Sequence, residues 1–165
     1  ICSPVPVVLQ EIANGLLREG RVWMAGVSLE VREVKVRDNV VRNREVVVRM
    51  LSPLVTYSTV PVGGGSYTYY YSPFEPRFRE LVLANLAKKY LLVFGRPADE
   101  TGFEIAPERV GPADLKIVNY KDTVIKGWMG TYRLTGDPQL LEMALSAGLG
   151  AKNSQGFGCC EIRGE

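Results

Sequence analysis

The chain has 165 residues, 20 Lys and Arg against 18 Asp and Glu, a formal net charge of +2, 46% hydrophobic and 23% charged residues. That length and balance suit a folded chain with one good core, and any attraction to a polyanion has to come from local clustering of charge. Histidine is absent, which excludes a Ser-His-Asp triad, a Cys-His pair and histidine-ligated metal within these residues.

Taken in order, residues 1–3 read as the tail of a strand. Pro4 or Pro6 then opens a helix whose apolar face is Leu9, Ile12, Ala13, Leu16 and Leu17, ended by Gly20. Residues 22–24 and 28–36 alternate apolar and polar around an Ala25-Gly26 turn. A strand tail, one helix and one hairpin cannot close a layer. The expectation is therefore that residues 1–42 are the closing part of one domain and residues 43–165 a second. Asp38-Asn39 and Arg42-Asn43-Arg44 form the polar connector. The Arg- and Lys-rich run from Arg18 to Arg49 reads as the solvated side of strands, with a nucleic-acid face as the alternative.

The second unit is fuller. A valine-rich strand over residues 45–51 continues past Ser52-Pro53 to residue 60, and Gly63-Gly64-Gly65 turns into an aromatic strand with Tyr67, Tyr69, Tyr70 and Tyr71. The longest helix begins at Pro73 and runs to about residue 94, with Phe74, Phe78, Leu81, Val82, Leu86, Leu92 and Val93 expected inward and Gly95 and Pro97 stopping it. Strands are expected at 103–107, 115–120 and 123–134, the last interrupted by Gly127 and Gly130. Gly136-Asp137-Pro138 is a turn and N-cap for a helix over residues 139–147 with Leu140, Leu141, Ala144 and Leu145 inward, and a final strand follows at 157–162. Strand, helix, strand, strand, helix, strand is the ferredoxin-like βαββαβ order of an α+β fold. In the last strand the neighbours Cys159 and Cys160 point to opposite faces. With Cys2 remote in sequence they make neither a disulfide framework nor a zinc site, and a cytoplasmic setting without membrane contact is expected.

Between the last helix and the last strand, residues 148–158 carry four glycines, Gly148, Gly150, Gly156 and Gly158, around a polar centre of Lys152, Asn153 and Ser154. Exposed N–H groups of such a loop suit a phosphate. The same glycines equally fit a helix C-cap at Gly148 followed by a bulged strand start. The spacing matches neither a Walker loop nor the dinucleotide fingerprint, so nucleotide binding of those kinds is not expected.

Several segments together resemble the CRISPR-associated repeat-RNA endoribonucleases of the Cas-six family, in the RAMP superfamily. They are Met50-Leu51-Ser52-Pro53-Leu54, Asn85-Leu86-Ala87-Lys88-Lys89-Tyr90, the run from Lys126 through Trp128 to Tyr132 leading to Gly136-Asp137-Pro138, and the 148–158 loop. The resemblance implies two ferredoxin-like domains in tandem. It also implies metal-independent cleavage of repeat RNA by attack of a ribose 2′-OH on the adjacent phosphate, with no cofactor.

In many members of that family the base is a histidine in the first half of the N-terminal domain, and no catalytic residue carries over to this sequence. The binding side does: Gly148, Gly150, Lys152, Asn153, Ser154, Gly156 and Gly158 in the loop, with Lys121, Lys126 and Arg133 as backbone contacts. The tyrosines at 67–71 are candidates for stacking on bases. Implied partners are CRISPR repeat RNA, effector-complex subunits and a second copy of the chain. A non-catalytic repeat-RNA binder and a structural RAMP subunit of an effector complex are the alternatives.

Overall fold

In the computed structural model, which describes every residue except 38, 122 and 165, the first elements are α1 (Pro6–Glu19), β1 (Arg21–Met24) and β2 (Val27–Glu30). Next come β3 (Glu45–Met50), β4 (Tyr57–Val62), β5 (Gly65–Tyr70), α2 (Pro76–Phe94), β6 (Glu104–Arg109) and β7 (Leu115–Tyr120). The chain continues with β8 (Thr123–Trp128), β9 (Thr131–Thr135), α3 (Pro138–Ala147) and β10 (Cys160–Ile162). Asp38 of the expected connector lies outside the described residues.

Strand β3 alternates strictly: Val46, Val48 and Met50 are buried while Glu45 and Arg49 face out, the period-two pattern of a sheet covered on one face. It pairs antiparallel with β10 and β9, and β9 pairs with β6, giving the sheet order β10-β3-β9-β6. With α2 and α3 as the two crossovers, this is the 4-1-3-2 sheet of a ferredoxin-like domain. Two hairpins are inserted into it, β4–β5 ahead of α2 and β7–β8 between β6 and β9.

Both helices pack on the apolar face. Phe78, Val82, Leu86 and Tyr90 of α2 and Leu140, Leu141, Ala144 and Leu145 of α3 join Val46, Val48, Ile105, Tyr132 and Leu134 in one core. The other face carries ion pairs, Arg133 with Glu45 and Glu108, and Glu161 with Arg49 and Arg37.

Several expected boundaries are corrected. Residues 123–134 do not form one strand. The chain passes from the β7–β8 hairpin to the main sheet at Met129-Gly130, where a side chain on Gly130 (φ +104°) would begin 2.6 Å from the Arg109 carbonyl oxygen. Likewise the strand over 45–60 divides, β3 ending at Met50 and β4 opening a separate hairpin at Tyr57.

Helix α2 starts at Pro76, so Phe74 precedes it and is 63% exposed. The buried row runs at four-residue spacing from Phe78 to Tyr90. Leu92, two residues beyond and roughly 200° round the helix, is 84% exposed, and Val93 is also exposed. Near the start, residues 1–3 form no strand, β2 ends at Glu30, and α1 keeps Leu9, Ile12, Ala13 and Leu16 half-buried but leaves Leu17 exposed. Among the described residues no helix is long and apolar enough to cross a membrane.

The expected cap of α3 is present: the Asp137 carboxylate accepts from the N–H groups of Gln139 at 3.0 Å and Leu140 at 3.2 Å. Asp137→Ala is expected to cost about 1 kcal/mol, read as a lower midpoint in urea at unchanged slope.

Candidate nucleic-acid interface

The loop that joins α3 to β10 is built on glycines that sit where no side chain fits. At Gly158 (φ +75°) a Cβ would overlap the Leu149 carbonyl oxygen and lie 2.6 Å from Asn153 Nδ2; at Gly150 (φ +66°) it would overlap the Val55 carbonyl and lie 2.7 Å from Leu54 Cδ1. These contacts let the two ends of the loop close on each other and on residues 53–55. The N–H of Leu149 donates to Gly158 O at 2.8 Å, that of Ala151 to Val55 O at 2.8 Å and that of Gly158 to Pro53 O at 2.9 Å. The Asn153 amide braces the interior, donating to Leu149 O at 3.1 Å and Phe157 O at 3.0 Å. Lys89, reaching across from α2, donates to Gly148 O at 2.6 Å and Gly150 O at 3.2 Å.

The N–H groups of Leu149, Ala151, Gln155, Gly156, Phe157 and Gly158 are therefore spent within the loop or on residues 53–55. The tip is arranged differently. Lys152 adopts φ +61° and leads into a single 3-10 turn, Asn153–Gln155. The N–H groups of Lys152, Asn153 and Ser154 have no acceptor among the described residues. A left-handed residue followed by a right-handed turn aims successive N–H groups at one point, the geometry of an anion nest. Ser154 and Gly156 are exposed, whereas Gly148, Gly150 and Gly158 are buried.

Beneath the tip, Phe157 joins Val55 and Ile125 in a small second core, flanked by Tyr57 and Tyr70. This cluster ties the loop to both inserted hairpins. Lys152 Nζ stands 5.1 Å from the centre of the Tyr57 ring, which meets Tyr70 at 5.8 Å. A cation over an aromatic pair beside free N–H groups suits a phosphate flanked by a base. Tyr57 was not singled out from the sequence; its polar-aromatic strand gave no sign of which partner it would meet.

The other expected contacts are dispersed. Lys126 follows Ile125 on β8 and is exposed; Lys121 (φ +46°) stands at the far turn of that hairpin with its Nζ 5.4 Å from the Tyr120 ring. Arg133 is not brought to the loop. It lies on the uncovered face of the main sheet between Glu108 and Glu45, whose carboxylates keep the guanidinium protonated and offset its charge locally.

Of the tyrosines, Tyr70 faces Tyr57, while Tyr69 and Tyr71 meet edge-on at 4.9 Å on the other side of the hairpin and Tyr67 is 59% exposed. Trp128 is half-buried, edge-on to Phe74 at 6.3 Å. Beside the loop lies a cavity of about 790 Å³, lined by Cys2, Lys89, Asn153, Ser154 and Cys159 among others. Burial pushes the Lys89 pKa down to about 8 and the Cys160 thiol up to about 12. Among the described residues no group of three or more His, Cys, Asp or Glu side chains could hold a metal ion.

A 4-1-3-2 sheet with two crossover helices defines a ferredoxin-like protein, here with its last strand entered through a glycine-built loop. Residues 33–162 match the family described as "CRISPR associated protein Cas6, C-terminal", and the chain belongs to that family. It is 27% identical over 158 residues to "CRISPR-associated endoribonuclease Cas6 1" of Methanocaldococcus jannaschii, covering 96% of this chain and 60% of that one. It is also 27% identical over 161 residues to "CRISPR-associated endoribonuclease Cas6" of Pyrococcus furiosus, covering 97% and 58%. The chain thus spans about three fifths of the length of the curated relatives it matches. A solved structure described as "CRISPR associated protein Cas6" shares the fold with a TM-score of 0.84 at 24% identity, covering 98% of this chain and 65% of that one.

Proposed function

We propose that this chain is the RNA-gripping part of a CRISPR repeat-processing endoribonuclease, with residues 1–42 belonging to a first ferredoxin-like domain and residues 43–165 forming the second. The observation that carries the reading is the loop tip, where Lys152 stands over the Tyr57–Tyr70 pair, half-buried, beside three N–H groups that have no acceptor among the described residues. Family membership and the endoribonuclease relatives support repeat RNA as the ligand.

Cleavage would proceed by attack of a ribose 2′-OH on the neighbouring phosphate, leaving a 2′,3′-cyclic phosphate and a 5′-OH. The tip would hold that phosphate or one beside it by charge and hydrogen bonds. Lys126 and Lys121 extend the basic surface along the β7–β8 hairpin, and they act on the RNA backbone without reading sequence.

The test is fluorescence anisotropy with labelled repeat RNA at two salt concentrations, beside a denaturing gel of the same mixtures in EDTA. Lys152→Glu is expected to weaken binding about tenfold at low salt, with a shallower salt slope. Unchanged affinity would remove the tip from the site. A cyclic-phosphate product in EDTA would place a histidine-free catalytic centre within these residues, and binding without cutting would assign them the gripping role alone.

A further inference from the structure

We propose that Lys89 is the positioning residue of the RNA-facing loop: its ammonium holds the Gly148 and Gly150 carbonyls inward, and so fixes the tip at residues 152–154 facing out. For its functional half the inference rests on the RNA reading above. The geometry is independent of that reading. One ammonium on α2 reaches two carbonyls of the loop, at 2.6 and 3.2 Å, separated from it by 59 and 61 residues.

Those two carbonyls flank Leu149, whose side chain is fully buried. Tying both down sets the direction in which the chain leaves the core towards Lys152. An apolar side chain at position 89 would leave both oxygens without a partner, and the loop would have to open to let water reach them. Its neighbour Lys88 is exposed and plays no such part.

An ammonium buried this far without a carboxylate is costly to the fold. No ion pair joins Lys89 to an acidic side chain among the described residues. The titratable groups that face it are thiols, Cys2 from the start of the chain, with Cys159 and the chain's amino group beyond it, and Cys160 from β10. Desolvation lowers the Lys89 pKa from 10.5 to about 8. Between those values the unfolded chain binds the extra proton, so the contribution of Lys89 to global stability rises with pH in that window. The clamp itself loses its charge over the same range.

The experiment compares the full chain with Lys89→Met and Lys89→Arg by hydrogen exchange of the loop amides, affinity for repeat RNA and melting temperature. In Lys89→Met the amides of Ala151 and Gly158 should lose protection, and RNA affinity should fall about tenfold as two charge-assisted hydrogen bonds disappear. The melting temperature should fall only slightly, because the burial cost that is removed offsets the two carbonyls left to find water. Lys89→Arg should restore both protection and affinity, and its affinity should hold between pH 7 and 9 where the wild type weakens.

Full loop protection in Lys89→Met would overturn the clamp. Lost protection with unchanged affinity would overturn its role in positioning. Failure of the wild-type chain to bind repeat RNA would sink the RNA reading and the functional half of the inference, while the exchange rates still decide the clamp.

Discussion

Gly158→Ala is expected to destabilise the protein by about 3 kcal/mol or more and to abolish protection of the loop amides. Two costs combine. A non-glycine residue at φ +75° is strained in itself, by about 1–2 kcal/mol. The new methyl group would also overlap the Leu149 carbonyl oxygen and crowd Asn153 Nδ2, and both belong to the hydrogen bonds that close the loop. Backbone cannot yield there without breaking the Leu149-to-Gly158 and Gly158-to-Pro53 bonds. Gly156→Ala is the matched control: its φ is +90° but nothing lies within 4 Å of the added carbon, so only the strain of about 1 kcal/mol should appear. Urea denaturation of the two variants measures the difference. Equal losses would show that the loop relaxes around Gly158 and that close backbone approach is not what its glycines serve.

Tyr90→Ala should cost about 3–5 kcal/mol, whereas Leu92→Ala should stay within about 0.5 kcal/mol of wild type. Tyr90 is 2% exposed, meets Phe94 at 4.5 Å and donates its hydroxyl to Gln139 Oε1 at 2.7 Å, joining α2 to the start of α3. Its truncation removes a large ring from the core and leaves Gln139 with the Arg96 guanidinium as its remaining partner. Leu92 is 84% exposed, so its loss removes little buried area. Thermal melts of both variants decide the matter, and a large loss at Leu92 would mean that this face of α2 is covered by something in solution.

The contrast between these two residues shows where sequence reasoning ran short. In α2 the apolar residues do not confine themselves to one stripe: Leu91, Leu92, Val93 and Phe94 are all substantially exposed at its end. Hydrophobicity therefore identified the helix but not its buried row. A tyrosine, polar at its tip, was not an obvious core residue until Gln139 was seen to satisfy it. Helix α3 was legible to within one residue, because Asp137 and Pro138 set its start and the four residues expected inward are buried, with Met143 joining them. The basic residues read least well. Lys152, Lys126 and Arg133 look alike in sequence, yet one stands on an aromatic ring, one points to solvent and one has its charge offset by two glutamates.

The sequence by itself determined the strand-helix-strand-strand-helix-strand order, the capped helix α3 and the glycine spacing of the loop, because each depends on neighbours along the chain. Only the tertiary structure decided that 123–134 serves two sheets and that the loop closes on residues 53–55. It alone brought Lys89 to the loop's carbonyls, Tyr57 under Lys152 and Cys2 beside Cys159. Those partners are separated by tens of residues or more. Their meeting is set by how the helices and hairpins pack on the sheet, which no local pattern encodes.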